Sequence, residues 1–312
     1  IASGYYRQSG KLPVVALHTT VGTLHGAMAL RAARHERIPM VVLSGDSAGF
    51  GEMEGLDPGQ QWVGALSDIG GAAAMAQPCV KRSSTVTCRE VLPGMIQDAC
   101  RLALTPPWGP VFLAVPFEFM LGPCRAFGAC CTPPPTGTKA DASALEDVVR
   151  QLLRAKRPVL LTTYAGRDPE NVALLVELAE SLALPVVEAG HPVFLNFPRD
   201  HPLHQGFDGG DLLGETDFVL LVASARPWHP ASRRPRDARV VLIDEDPAYE
   251  LLPYWGYSIA QIVAGELNSS LVELNAIVKR LRPGSSLGEA ELAARRAEWQ
   301  ARHQRQREKW RA

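Results

Sequence analysis

Val14-Val15-Ala16-Leu17-His18-Thr19-Thr20-Val21-Gly22-Thr23-Leu24-His25-Gly26 reads as a buried strand, a sharp turn holding a glycine, and a helix that opens on small residues. A short apolar run of this kind suits a strand of a parallel sheet. Where such a strand hands over to a helix, backbone N–H groups stay unpaired at a positive dipole end, and polar ligand groups dock there in open α/β sheets. Most corners of this kind are plain connections, so the flanks decide how much this one carries.

Upstream stands Gly4-Tyr5-Tyr6-Arg7-Gln8-Ser9-Gly10-Lys11, and downstream Arg37-Ile38-Pro39-Met40-Val41-Val42-Leu43-Ser44-Gly45 supplies a second buried strand ending at a glycine. The stretch from Asp46 to Gly59 is too rich in Gly, Pro and Asp for helix or strand. A helix is expected over Gln60–Met75, a short strand at Cys79–Arg82, a helix over Arg89–Leu104 that Pro93-Gly94 disturbs, and a buried strand at Pro110–Pro116. A Pro-, Cys- and Gly-rich connection around Pro133-Pro134-Pro135 marks a domain boundary.

A second α/β unit starts at Ala142, with Leu145, Val148, Val149, Leu152 and Leu153 at helical spacing. Strands follow at Pro158–Thr163, Pro185–Glu188, Asp217–Val222, Arg239–Asp244 and Ser258–Val263, with helices at Pro169–Leu182 and Glu266–Leu281. This alternation predicts a doubly wound parallel sheet. The charged tail Glu289–Arg311 reads as an exposed helix leading to something beyond it.

With 312 residues the chain has room for about two domains, and 46% hydrophobic against 21% charged residues allows ordinary cores. A formal net charge of −1 argues against a nucleic-acid surface. No apolar run reaches the roughly 18 residues of a membrane span. Cys79, Cys88, Cys100, Cys124, Cys130 and Cys131 show no C-x-x-C spacing and read as reduced thiols of a cytoplasmic protein, with no zinc set among them.

The order GY-x-R-x-[ST]-GK, apolar strand, small-residue turn, Ala-rich helix, IP, apolar strand, G resembles the N-terminal pyrimidine-binding domain of thiamine-diphosphate enzymes of the acetolactate synthase and benzoylformate decarboxylase superfamily. Arg157-Pro158-Val159-Leu160, Asp200-His201-Pro202-Leu203-His204-Gln205-Gly206 and Ile243-Asp244-Glu245-Asp246-Pro247 resemble its middle domain. The resemblance implies an α/β chain of two doubly wound parallel-sheet domains in tandem. A partial pyrimidine-binding domain at 1–120 and a linker at 121–141 lead to a Rossmann-like central domain at 142–282, and 283–312 forms a helical linker to a diphosphate-binding domain absent from the sequence.

By the same resemblance the cofactor-binding residues are Thr20, Val21, Gly22, Thr23 and His25. Gly22 would allow close backbone approach to the pyrimidine ring, Thr23 could cap the helix, and His25 stands where relatives often carry Asn, so it is read equally as a helix-surface histidine. Gln60, Gln61 and His18 are the candidates for the substrate side, although a satisfied core histidine is the blander reading of His18. Lys81 matches a family lysine or is a solvated edge charge. The family's catalytic glutamate falls just before the position of Ile1, which suggests a fragment.

No Gly-Asp-Gly with its downstream Asn follows; Gly209-Gly210-Asp211 is read as a loop. His201 and His204 invite a metal reading that Pro202 and the lack of a completing ligand oppose. The Tyr164-Ala165-Gly166-Arg167 turn keeps an Arg that could meet a phosphate, but Phe207–Asp211 departs from the flavin-binding pattern, which argues against FAD.

The expectation is therefore a thiamine-diphosphate- and Mg²⁺-dependent decarboxylase or carboligase of 2-keto acids, a homodimer or homotetramer with no nucleic-acid or membrane partner. The alternative is a non-catalytic or regulatory paralogue of the same fold. An NAD-binding module is weaker, since no G-x-G-x-x-G follows a predicted strand.

Overall fold

A computed structural model describes residues 1–47, 67–121, 132–230, 233–249, 252 and 255–311. Gln60, Gln61, Cys124, Cys130 and Cys131, with the expected loop from 48 onward and the first part of the Gln60–Met75 helix, lie outside the described residues. The chain divides into two compact units, Ile1–Thr136 and Gly137–Ala312.

The first unit runs α1 (Ala2–Ser9), β1 (Val14–Leu17), α2 (Thr19–His35), β2 (Met40–Asp46), α3 (Gly71–Ala76), β3 (Arg82–Thr85), α4 (Leu92–Ala103), β4 (Pro110–Pro116) and α5 (Phe117–Leu121). Its parallel sheet has the order β1-β2-β4-β3, with Val14 opposite Val41 and Val42 opposite Phe112. Every residue of β4 is buried, and Val41, Val111 and Leu113 pack with Ala99 and Ala103 of α4.

Three expectations are corrected here. β1 forms an edge of the described sheet, not a buried strand, with Val14 and Ala16 exposed. Strand β3 starts at Arg82 rather than Cys79, because Pro78 lacks a ladder N–H and Gln77–Cys79 closes into a 3₁₀ turn. Pro93-Gly94 does not disturb α4, since Pro93 sits in the first turn where its missing N–H costs nothing.

The second unit runs α6 (Ala142–Arg154), β5 (Pro158–Thr162), α7 (Pro169–Leu182), β6 (Val186–Glu188), α8 (Leu212–Glu215), β7 (Phe218–Val222), β8 (Arg239–Asp244), β9 (Gln261–Ala264), α9 (Leu267–Leu281) and α10 (Glu289–Arg311). Its parallel sheet has the order β6-β5-β7-β8-β9, and α9 packs against both α6 and α7. Acidic side chains at the N-cap accept backbone hydrogen bonds in three of these helices. Asp141 accepts from the N–H groups of Ser143 and Ala144, Asp168 from Glu170, and Glu266 from Asn268 and Ser269. Both sheets are doubly wound α/β in kind.

The tail differs from the exposed helix expected. Leu292, Arg295, Trp299 and His303 of α10 are buried along one stripe. Arg295 Nη2 donates to the Ala155 carbonyl at 2.7 Å, and His303 Nδ1 donates to the His204 carbonyl at 2.7 Å. Half of the stripe is Arg and His, so apolar periodicity does not register it, although long cationic side chains readily bury their stems.

Candidate active site at the edge of the first sheet

The corner that opens the chain's reading turns at His18-Thr19. Thr19 lies at φ 45, a left-handed conformation that is uncommon for a residue with a Cβ. His18 occupies the N-cap position of α2 and makes no side-chain cap, while its carbonyl accepts from Gly22 N at 2.7 Å. Gly22 is therefore one helical turn beyond the corner. A Cβ there would stand 3.5 Å from the Leu17 backbone carbon, an ordinary contact.

The five residues expected at the cofactor edge divide by helical phase. Thr20 and Thr23 are buried. Thr20 Oγ1 donates to Asp68 Oδ2 at 2.5 Å. Thr23 does not cap the helix: its hydroxyl donates back to the Thr19 carbonyl at 2.8 Å and lies 3.3 Å from Ser44 Oγ at the end of β2. Val21, His25 and His18 face outward and are exposed. With Leu24 and Met28 they leave an apolar stripe on α2, Val21 being 74% and Met28 75% exposed.

Three acidic residues that the sequence reading passed over gather at this edge. Burial raises the Asp46 carboxyl above its usual range, backbone hydrogen bonds from Ser47 and Ala72 oppose the rise, and the charges of Asp68 and Glu118 add to it. A Cβ on Gly71, at φ 65, would come within 2.9 Å of Asp46 Oδ2, so a glycine is needed for this approach. The signal available in the sequence was Asp46 at the end of β2 with the Gly70-Gly71 pair downstream.

Lys81 is neither a solvated charge nor open to a ligand. Its Nζ donates to the carbonyls of Leu102 and Thr105, 2.6 and 2.7 Å away, at the C-terminal end of α4.

In the second unit the two histidines have separate partners. His201 Nε2 meets Glu180 Oε1 at 3.2 Å, and His204 Nε2 donates to Glu188 Oε2 at 3.2 Å. The Tyr164–Arg167 turn is covered. Gly166 N donates to Asn196 Oδ1 at 2.9 Å, and a Cβ on Gly166 would stand 2.0 Å from the Leu195 carbonyl oxygen. Gly209-Gly210-Asp211 leads into α8, with Asp211 at its N-cap.

Exposed Val21 beside the open turn offers apolar surface, whereas Asp68 is engaged by Thr20 and Asp46 by backbone N–H groups. Among the described residues no group of three His, Cys, Asp or Glu is placed to hold a metal ion. Also among them, no helix is long and apolar enough to cross a membrane.

A family model described as "Thiamine pyrophosphate enzyme, N-terminal TPP binding domain" matches residues 1–49, the stretch that builds β1, α2 and β2. Benzoylformate decarboxylase of Pseudomonas aeruginosa is 25% identical over 300 residues, covering 91% of this chain and 53% of the relative. Both findings liken the chain to the thiamine-diphosphate-dependent enzyme superfamily. Another superfamily member, the acetolactate synthase isozyme 1 large subunit of Escherichia coli, is 29% identical over 229 residues, 72% of this chain and 38% of that protein. Among solved structures, the thiamine diphosphate-dependent 4-hydroxybenzoylformate decarboxylase of Rhodococcus jostii RHA1 superposes with a TM-score of 0.73 at 26% identity, over 89% of this chain and 52% of that one. The chain thus spans about half the length of the relatives it matches.

Proposed function

We propose that the chain supplies the pyrimidine-binding and middle parts of a decarboxylase or carboligase acting on 2-keto acids. The observation that carries this reading is a coincidence of place. The stretch matched by the family model, residues 1–49, builds the corner at His18-Thr19 and the polar edge of Thr20, Thr23, Ser44 and Asp46. Relatives along most of the chain are named as decarboxylases and acetolactate synthases.

Thiamine diphosphate, when bound, supplies a carbanion that adds to a keto carbon and then stores the electrons left by decarboxylation. This chain's part is to receive the ring. Val21 and the outer side of α2 offer it apolar surface, and the buried Thr20 and Thr23 hold the corner to Asp68 and β2, so that the surface is rigid. His25, exposed on α2, stands as a cofactor-side candidate, and His18, exposed at the corner, as a substrate-side candidate with Gln60 and Gln61. Mg²⁺ and the diphosphate are assigned to residues outside this sequence, because no Gly-Asp-Gly occurs in it. The exposed stripe Val21, Leu24 and Met28 supports assembly with a second copy as a homodimer or homotetramer.

The test is carbon dioxide release from benzoylformate and pyruvate, with thiamine diphosphate and Mg²⁺, by this chain alone and after the relative's segment upstream of the position matching Ile1 is fused to it and the C-terminal half of the Pseudomonas aeruginosa relative is added. Turnover only in the completed mixture is expected. No turnover despite demonstrated association would favour the non-catalytic paralogue.

A further inference from the structure

The second unit holds a cavity of about 860 Å³ that the reading above does not use. It opens at the C-terminal end of the sheet, between the segment after β6, which brings His191 and Arg199, and the segment after β7, which brings Arg226 and Trp228; Phe207 and Tyr257 complete its walls. Its floor is at the switch point of the sheet, where β6 and β7 flank β5 and the connections diverge. Ligands of open α/β sheets bind at that place.

The walls are set before any ligand arrives. Gly190, at φ 72, lets the two segments meet: a Cβ there would lie 2.7 Å from the Arg226 carbonyl oxygen. Tyr257 Oη donates to the Trp228 carbonyl at 3.0 Å, and the two rings stand edge to face with centroids 5.5 Å apart. Arg199 is held by Glu188 at 3.2 Å and lies over the Phe207 ring at 5.0 Å. Asp208, the acid on the wall, is paired with Arg233. Arg226 is exposed and makes no hydrogen bond or ion pair among the described residues, so its guanidinium is open on a wall that also carries Trp228 and Tyr257.

The same structure disfavours a phosphate. The helix N-terminus nearest the switch point, that of α7, is already capped by Asp168 and begins with Pro169, and the Gly166 backbone ahead of it is covered by Leu195. No free run of backbone N–H groups faces a pyrophosphate there.

We propose that this cavity binds an aromatic carboxylate, with the carboxyl group paired to Arg226 and the ring against Trp228 and Tyr257. A planar guanidinium and a planar carboxylate match in a bidentate pair, and the rings supply the apolar contact.

The test is calorimetric titration of the full chain with benzoate, benzyl alcohol and ADP. Benzoate is expected to saturate one site with a dissociation constant on the order of 1 mM, as befits so small a ligand. Arg226→Gln should weaken it at least tenfold without changing the melting temperature, and Trp228→Leu should weaken it while leaving benzyl alcohol equally poor. Equal binding of benzoate by Arg226→Gln, no saturation by benzoate, or benzyl alcohol binding as well as benzoate would overturn the proposal. ADP binding more tightly than benzoate would also overturn it and give the cavity to a nucleotide.

Discussion

Thr20 Oγ1 donates to Asp68 Oδ2 at 2.5 Å, joining the first turn of α2 to a residue 48 positions away that leads into α3. The hydroxyl is buried, so its loss leaves a carboxylate oxygen without its donor. Thr20→Val is expected to cost about 1–3 kcal/mol in urea unfolding, while Thr20→Ser keeps most of the stability. A Val variant as stable as the parent would show that the contact contributes nothing.

Lys81 closes the end of α4 through two carbonyl acceptors, Leu102 and Thr105. Lys81→Met keeps the aliphatic stem and removes the donors. The expected loss is about 1 kcal/mol, seen as a lower urea midpoint at unchanged slope. If Lys81 were a solvated edge charge, the midpoint would not move.

Two carboxylates predict opposite pH dependences. For Glu188 burial disfavours ionisation, but donors from His204, Asn196 and Arg199 outweigh it and hold the carboxyl below its usual value. A depressed folded-state pKa gives stability that is complete above the unfolded value and lost as pH falls through the folded one. Glu188→Gln should therefore lower stability at pH 7 by roughly 1–3 kcal/mol and flatten the loss below about pH 4. Asp46 is raised, chiefly by burial, so its contribution is full below the unfolded value and lost as pH rises through the folded one. Asp46→Asn should remove that decline, which sets in as pH rises above the unfolded value of about 4. Melting curves across pH check both signs, and identical profiles for the parent and the variants would contradict them.

The elements whose signals are local were legible. Helix α7 begins at Pro169 behind its Asp168 cap, β4 is an unbroken apolar run, and β8 holds four apolar residues between Arg239 and Asp244, so their bounds agree with expectation. What stayed hidden depends on partners distant in sequence. Nothing near Thr20 says that Asp68 will meet it, and nothing near Lys81 points to the end of α4. The turn's glycine drew attention to Gly22, whereas the backbone turns at Thr19, which carries no such mark.

Helix α10 was misread for a related reason, its buried stripe being partly cationic. Trp299 is 4% exposed, and its carbonyl accepts from Gln205 Nε2 at 3.1 Å. Trp299→Ala should cost about 3 kcal/mol and expose the tail to protease before the rest of the second unit. Digestion at the parent's rate would mean that the helix is held by its polar contacts alone.

On α2, Val21, Leu24 and Met28 repeat at helical spacing on the exposed side. If a second copy covers them, Met28→Glu should turn a dimer into a monomer in light scattering with little change in melting temperature. A parent chain that is monomeric even with the C-terminal half of the Pseudomonas aeruginosa relative added would contradict the assembly.

The central claim is that this chain carries the ring-binding half of a thiamine diphosphate site and not the metal-bound diphosphate half. Calorimetric titration with thiamine diphosphate and Mg²⁺ measures this most directly, first on residues 1–312 and then with the diphosphate-binding half of the Pseudomonas aeruginosa relative added. The account predicts no micromolar binding by the chain alone, and tight binding in the mixture that weakens when Val21 is changed to Asp. Micromolar binding by the chain alone, or tight binding in the mixture that Val21→Asp leaves unchanged, would contradict it.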